Sequence, residues 1–349
     1  MLKTLKQTTL KSLKTTGVSR LVQNSRWRRE RLLILAYHGI AQFDEHEFNS
    51  SLFMSPDVLR MRLEQLKAAR CAVLPLDEAV QRLYANDLPD RAVVLTFDDG
   101  MADFYTQAFP LLKEFDVPAT LYLTTFYTEF NRPVFDPMVS YLTWKGRAKT
   151  IDLQPLVGRE LKLPLRSEPA RDAARVAILE HAKSQKMSAE EKDLLLTKLA
   201  AALDVDYDLI LQQRIIQNVT PSQVTEMAAR GIDIQLHTHR HRMPKDQKLF
   251  NRELDDNRQS IERMTSTRAR HFCYPSGVYD RTFLPWLERA GILSATTCEV
   301  GFASRDSHRL LLPRLLDNAA LSSIEFESWL TGVSAALPRR RVPAHRFLG

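Results

Sequence analysis

Two adjacent carboxylates and three histidines within five residues are the features of this sequence best suited to chemistry. Asp98-Asp99 stands before Gly100, and His237-Thr-His-Arg-His241 carries imidazoles at 237, 239 and 241. Adjacent aspartates are common as turn formers and helix caps, so alone they decide nothing. A catalytic reading needs the pair to divide labour, one carboxylate on a metal and the other left free as a base. Neutral imidazole is the commonest protein metal ligand, and two histidines with a carboxylate form a familiar set for catalytic zinc. A spacing of four puts His237 and His241 on one face of a helix, and a tight turn past a strand could do the same. The ordinary alternative is a histidine-rich surface turn.

These residues must be positioned by the elements around them. Short apolar runs at 32–37, 92–97, 119–124, 232–236, 271–274, 293–297 and 310–315 predict strands. Helical patterns at about 55–70, 102–115, 221–230, 246–265 and 280–290 separate them. Ser55-Pro56 supplies a cap with proline at the first helical position, and Gly231 a stop. Such alternation indicates an α/β fold, either a barrel or a doubly wound sheet. His38, Asp98-Asp99-Gly100, His237–His241 and Pro275-Ser-Gly277 all lie just past the C-terminal ends of predicted strands. Parallel barrels build their active sites at that end, which favours a barrel with one site. Between 131 and 219 the alternation breaks, leaving helices near 168–186 and 188–203. That stretch is too long for a loop in a compact domain and reads as a helical insertion.

Composition bounds the function. A chain of 349 residues with 44% hydrophobic and 26% charged residues is ordinary for a soluble globular protein. No run approaches the roughly 18 apolar residues of a membrane helix, and the run at 32–37 is too short and too late for an export signal. A cytoplasmic location is therefore expected. Residues 1–31 hold nine Lys or Arg against Glu30 alone, a charge of +8 out of the total of +7, so the remainder sums to −1. A nucleic-acid binder would carry its basic stripe on the folded body, so no nucleic-acid partner is expected. The basic end reads as a solvated, partly disordered arm. A second reading is peripheral attachment to an anionic membrane, where each cation can contribute about 1 kcal/mol. A mitochondrial targeting peptide would look similar. Cys71, Cys273 and Cys298 form no C-x-x-C pair and are expected to be reduced thiols.

Taken together the motifs resemble the polysaccharide deacetylase family, also called the NodB-homology family or carbohydrate esterase family four. Thr96-Phe-Asp-Asp-Gly100 matches its T-F-D-D-G motif, and His237-Thr-His-Arg-His241 its H-[ST]-x-x-H motif. Phe272-Cys-Tyr-Pro-Ser-Gly277 is similar to F-x-Y-P-x-G, and Ala36-Tyr-His-Gly-Ile40 to a Y-H-x-I segment that precedes the domain in many bacterial members. The match covers 34–125 and 220–316. The resemblance implies a distorted (β/α) barrel and a divalent metal, usually zinc. It implies Asp98 as general base and Asp99, His237 and His241 as metal ligands. Many members have Arg where this chain has Cys273, and Arg314 is the expected substitute from a neighbouring strand. The late L-x-H motif, whose His is the general acid, is not evident; His308 lies in the wrong context, and His38 is the expected replacement. Tyr274 and Ser276 are expected at the substrate and oxyanion position.

The organisation that follows is a basic arm at 1–31, a barrel in two parts at 32–130 and 220–335, a helical insertion at 131–219 and a basic tail at 336–349. The expected reaction removes an acetyl group, N-linked by preference, from a sugar of a polysaccharide or glycan precursor. Two rivals stand beside it. His237-Thr-His239 also matches the H-x-H start of amidohydrolase-type sites, but the further His and bridging Lys such sites need are not evident. A degenerate glycan-binding or scaffold protein is the other, against which the retention of both aspartates and both histidines counts.

Overall fold

Each of the strongest apolar runs becomes a strand, and seven of the strands close on themselves. The computed structural model describes residues 2–336; most of the basic tail expected over 336–349 lies outside them. In chain order the ring comprises β1 (Arg31–Tyr37), β2 (Ala92–Phe97), β3 (Thr120–Leu123), β4 (Asp233–Leu236), β5 (His271–Cys273), β6 (Ser294–Val300) and β7 (Leu312–Leu316). Every neighbouring pair in the order β1-β2-β3-β4-β5-β6-β7 is parallel, and β7 returns to β1 through Leu35 opposite Leu315 and Ala36 opposite Leu316. The sheet is thus a distorted (β/α) barrel, extended at its edges by Ala72–Val73 parallel to β2 and Ala303–Ser304 antiparallel to β1. Burial on both faces explains why β1 and β2 read as continuous hydrophobic runs rather than alternating ones: all six residues of β2 and six of seven in β1 are buried.

The helices around the ring start where local chemistry says they should. Ser55 Oγ accepts the Val58 N–H and Pro56 occupies the first turn of Pro56–Ala68, which buries Leu59, Leu63 and Leu66 along one face. Asp246 caps Gln247–Thr265 in the same way through the Leu249 N–H.

The N-terminal residues differ from a solvated arm. Leu2–Thr15, Val18–Gln23 and Arg26–Arg29 are helical. Lys6 pairs with Glu325 at 2.8 Å and Lys14 with Glu327 at 2.7 Å, while Leu10 is buried. Arg28 is wholly buried: its Nε donates to the Leu330 carbonyl at 3.0 Å and its Nη1 to the Arg31 carbonyl at 2.8 Å. Charge counting sees nine cations; it does not see that an arginine stem and a few apolar side chains dock the segment. No helix among the described residues is long and apolar enough to cross a membrane.

The chain divides into two compact units. Among the described residues the barrel unit comprises 2–100, 104–126 and 221–336, and the second unit 101–103 and 127–220. Within the second, Phe135–Lys145, Glu168–Ser184 and Ala189–Ala202 pack together over Met138, Leu142, Ile178, Leu196 and Leu199. A capping box at Ser188 and Glu191 opens Ala189–Ala202. A short antiparallel pair, Thr150–Asp152 with Lys162–Pro164, adds strand where few strand signals are visible.

Candidate active site

Asp98 and Asp99 follow β2, where the backbone turns sharply. Asp99 and Gly100 have φ of 72° and 80°, in the left-handed region. Thr238 and His241 after β4 and Ser276 after β5 share it, at 61°, 54° and 54°. For a residue with a Cβ this region costs roughly 1–2 kcal/mol, and such strain gathers where a loop must present particular groups. Gly277, at φ 65°, is required for a second reason: a Cβ there would lie 2.7 Å from the Cys298 sulfur.

The two carboxylates stand in different surroundings. Asp98 is buried against Arg314 of β7, whose Nη1 and Nη2 donate to its two oxygens at 2.8 and 2.7 Å. The same guanidinium donates to Thr297 O at 3.0 Å, Thr96 Oγ1 at 3.1 Å and Cys273 Sγ at 3.1 Å. Its fixed fork of donors is thus matched throughout. Burial pushes the Asp98 carboxyl up, but Arg314 outweighs it and holds the group below the usual carboxylate range. The Cys273 thiol donates to Asp98 Oδ2 at 3.5 Å, and His38 Nε2 lies 3.9 Å from the same oxygen.

Asp99 faces the histidines. Its Oδ1 lies 3.2 Å from His237 Nε2 and 3.3 Å from His241 Nε2. Burial would raise its pKa, yet the hydrogen bond to His237 and the nearby imidazoles drive it well below the ordinary value. His237 Nδ1 bonds the Cys273 carbonyl at 2.8 Å. A carbonyl can only accept, so Nδ1 carries the hydrogen and the Nε2 lone pair is left for a metal, the usual outer support of a metal-ligating histidine. Burial holds the His241 imidazole down at about 4, which keeps it neutral and able to ligate. Burial would also lower His237, but Cys273 and Asp99 raise it well above the usual histidine value, so without a metal Nε2 carries a proton that a cation must displace before it can use that lone pair.

Two sets of donors among the described residues come together closely enough to hold one ion: Asp99, His237 and His241, and Asp98, His237 and Cys273. In the second set Asp98 and Cys273 already accept from Arg314, and a cation there would face that buried guanidinium. The donor chemistry of the first set, two imidazoles and a carboxylate, fits zinc.

Other expected residues fall elsewhere. Tyr274 is fully buried; its hydroxyl donates to Leu310 O at 3.0 Å and its N–H to Thr296 O at 3.2 Å. Both donors are committed to the barrel wall. Ser276 stays in the turn that follows β5. His239 is buried with Nδ1 2.9 Å from Thr125 Oγ1 and stands outside both donor sets, so it does not pair with His237 as an H-x-H site requires. Sequence reasoning missed Asn257 and Glu253, buried polar residues on Gln247–Thr265 that bond the histidine loop. Their four-residue spacing is visible in the sequence, but on so polar a helix nothing marks them as facing inward.

Comparison with known proteins bears on the family and the fold. A family model described as polysaccharide deacetylase matches residues 85–161 and 200–295. The poly-beta-1,6-N-acetyl-D-glucosamine N-deacetylase of Staphylococcus epidermidis is 27% identical over 150 residues, covering 38% of this chain and 52% of that protein. The Escherichia coli (strain K12) protein of the same name is 32% identical over 105 residues, 28% of this chain and 15% of its own. The matches thus span about half of one relative and a smaller part of the other. Among solved structures, the Streptococcus pyogenes deacetylase PplD superimposes with a TM-score of 0.56 at 22% identity, over 84% of this chain and 96% of that one. IcaB from Ammonifex degensii gives 0.52 at 17% identity, over 86% and 97%. At these identities the likeness speaks for the fold.

Proposed function

The chain belongs to the polysaccharide deacetylase family, and from that premise we propose that it hydrolyses an N-acetyl group from a sugar of a polysaccharide or glycan precursor, in dependence on a divalent cation held by Asp99, His237 and His241. Zinc is the favoured ion for a site of two imidazoles and one carboxylate. The observation that carries the reading is the convergence of His237 Nε2 and His241 Nε2 on one oxygen of Asp99, beside an Asp98 that is bound instead to Arg314.

When bound, the cation would supply Lewis acidity toward the acetyl carbonyl and toward water. The protein's own residues do the rest. Asp98, kept ionised by Arg314, takes a proton from the water that attacks the carbonyl carbon. Arg314 fixes the orientation of that carboxylate through both of its oxygens. The backbone N–H of Ser276 is the proposed donor to the developing oxyanion. As the carbon–nitrogen bond breaks, the leaving amine needs a proton, and His38 is the proposed source. The products are acetate and a free amino sugar.

The sugar named for the two curated relatives, poly-beta-1,6-N-acetyl-D-glucosamine, is the first substrate to try. Purified protein should release acetate from its oligomers, lose that activity to a chelator and regain it with Zn2+. The reading also requires that His237→Ala with His241→Ala abolish stoichiometric zinc. Activity indifferent to the chelator, or full metal in the double variant, would overturn it.

A further inference from the structure

The loop that carries both histidines has its backbone bonded to one helix. Asn257 Oδ1 accepts the His237 N–H at 2.9 Å, and the side chain is fully buried. One turn earlier, the Glu253 carbonyl accepts the His239 N–H at 3.1 Å. Glu253 Oε2 accepts the Arg240 N–H at 2.8 Å, and its Oε1 the Arg240 guanidinium at 3.1 Å. Residues four apart share a helix face, so Gln247–Thr265 presents acceptors to three of the four N–H groups from His237 to Arg240. Asn257 is tied from behind as well. Its Nδ2 donates to the Leu123 carbonyl at 2.9 Å and to Thr125 Oγ1 at 3.0 Å, and Thr125 Oγ1 lies 2.9 Å from His239 Nδ1. The amide is therefore held at both ends, and its flat geometry links β3 to the loop after β4.

We propose that Asn257, with Glu253 one turn before it, is a positioning residue that holds the His237–His241 loop in its metal-receiving conformation before any metal arrives. The inference rests on the reading of His237 and His241 as ligands. Its physical content is preorganisation. Thr238 and His241 sit at positive φ, a conformation a free loop would leave. An unpaired buried N–H is costly, so the bonds to Asn257 and Glu253 select the strained loop over relaxed alternatives. His237 is then fixed at its backbone by Asn257 and at its ring by the Cys273 carbonyl.

The test is made on the full chain with Zn2+ as the probe. Asn257→Leu, with the same heavy-atom count and branching but without polar atoms, should weaken zinc affinity by about 10–100-fold in chelator competition, the range typical of lost outer support for a ligand. Asn257→Asp, which keeps the acceptor for the His237 N–H, should recover part of that loss. In metal-free wild-type protein the amides of His237, His239 and Arg240 should already be protected from hydrogen exchange, a measurement that needs no variant to fold. Exchange at the rate of an open loop overturns the proposal, as does wild-type zinc affinity in Asn257→Leu. If either occurs while His237→Ala with His241→Ala loses its metal, the ligand assignment stands and the clamp alone is wrong. Retention of metal by that double variant overturns the ligand assignment beneath it.

Discussion

Replacing Arg314 by Met would leave the Asp98 carboxylate buried without its cation. In the native protein burial raises that pKa and Arg314 more than reverses it. A depressed carboxylate keeps its charged form down to pH values below the ordinary range, so the acid limb of the kcat/KM profile should lie low. In Arg314→Met the opposing charge is gone, burial prevails, and the acid limb should move to higher pH. Breaking a buried pair also typically costs about 3–5 kcal/mol, so Tm should fall. An acid limb that stays in place would separate Arg314 from the base. Asp98→Asn should keep zinc and the fold while acetate release falls by about 10²–10⁴-fold, the usual share of a general base; a fully active variant would remove Asp98 from that role. Much of this geometry was legible in the sequence because Asp98, Asp99, His237, His241 and His38 each follow an apolar run, and strand ends fix where side chains begin. Tyr274 was less legible, since a motif position does not say where a hydroxyl points, and here it bonds the Leu310 carbonyl.

Glu325 shows what an element can hide. It belongs to the helix Ser323–Thr331, where it closes a capping box with Ser322 and accepts an ion pair from Lys6 of Leu2–Thr15. Burial raises its pKa, but Lys6 and Ser322 bring it down to about 2. A depressed acid contributes stability that is present above its ordinary value near 4.5 and lost as pH falls toward 2. Hydrogen exchange in Leu2–Thr15, corrected for intrinsic rate, should therefore accelerate on acidification through that window. In Glu325→Gln the pH dependence should shrink and exchange should be faster already at pH 7. If wild type and variant exchange alike across the window, the pair does not hold the helix. Strands were the most legible elements, because double-sided burial leaves unbroken apolar runs such as β2. Phe135–Lys145 escaped notice for the opposite reason: it has no capping side chain and is buried around most of its girth, so it shows neither a start signal nor a clear polar face.

At the scale of the whole molecule the N-terminal segment decides how the barrel unit should be handled. Its composition, nine cations with one acid, reads as a tail that could be removed without consequence. The packing says otherwise. Arg28 donates from inside the protein to the Leu330 and Arg31 carbonyls, the latter at the very start of β1, and its guanidinium lies 5.0 Å from the Phe302 ring. Trp27 meets Phe302 edge-on at 5.6 Å. Gly332, at φ 92°, is held to glycine by this neighbour, since a Cβ there would come within 2.8 Å of the Trp27 ring. Deleting residues 1–28 would remove Arg28 and leave those carbonyls without their donor, while Phe302 and the helix Ser323–Thr331 would lose apolar cover. An unpaired buried acceptor costs about 1–3 kcal/mol, and the lost aromatic burial adds to it. The truncated protein should therefore melt at a lower temperature than the full chain, and Arg28→Met within the intact chain should reproduce part of the shift. Deleting only residues 1–16, which leaves Trp27 and Arg28 in place, should cost less. Equal melting temperatures for the full chain and the 1–28 deletion would mean that these contacts contribute nothing and that the segment is a tail after all.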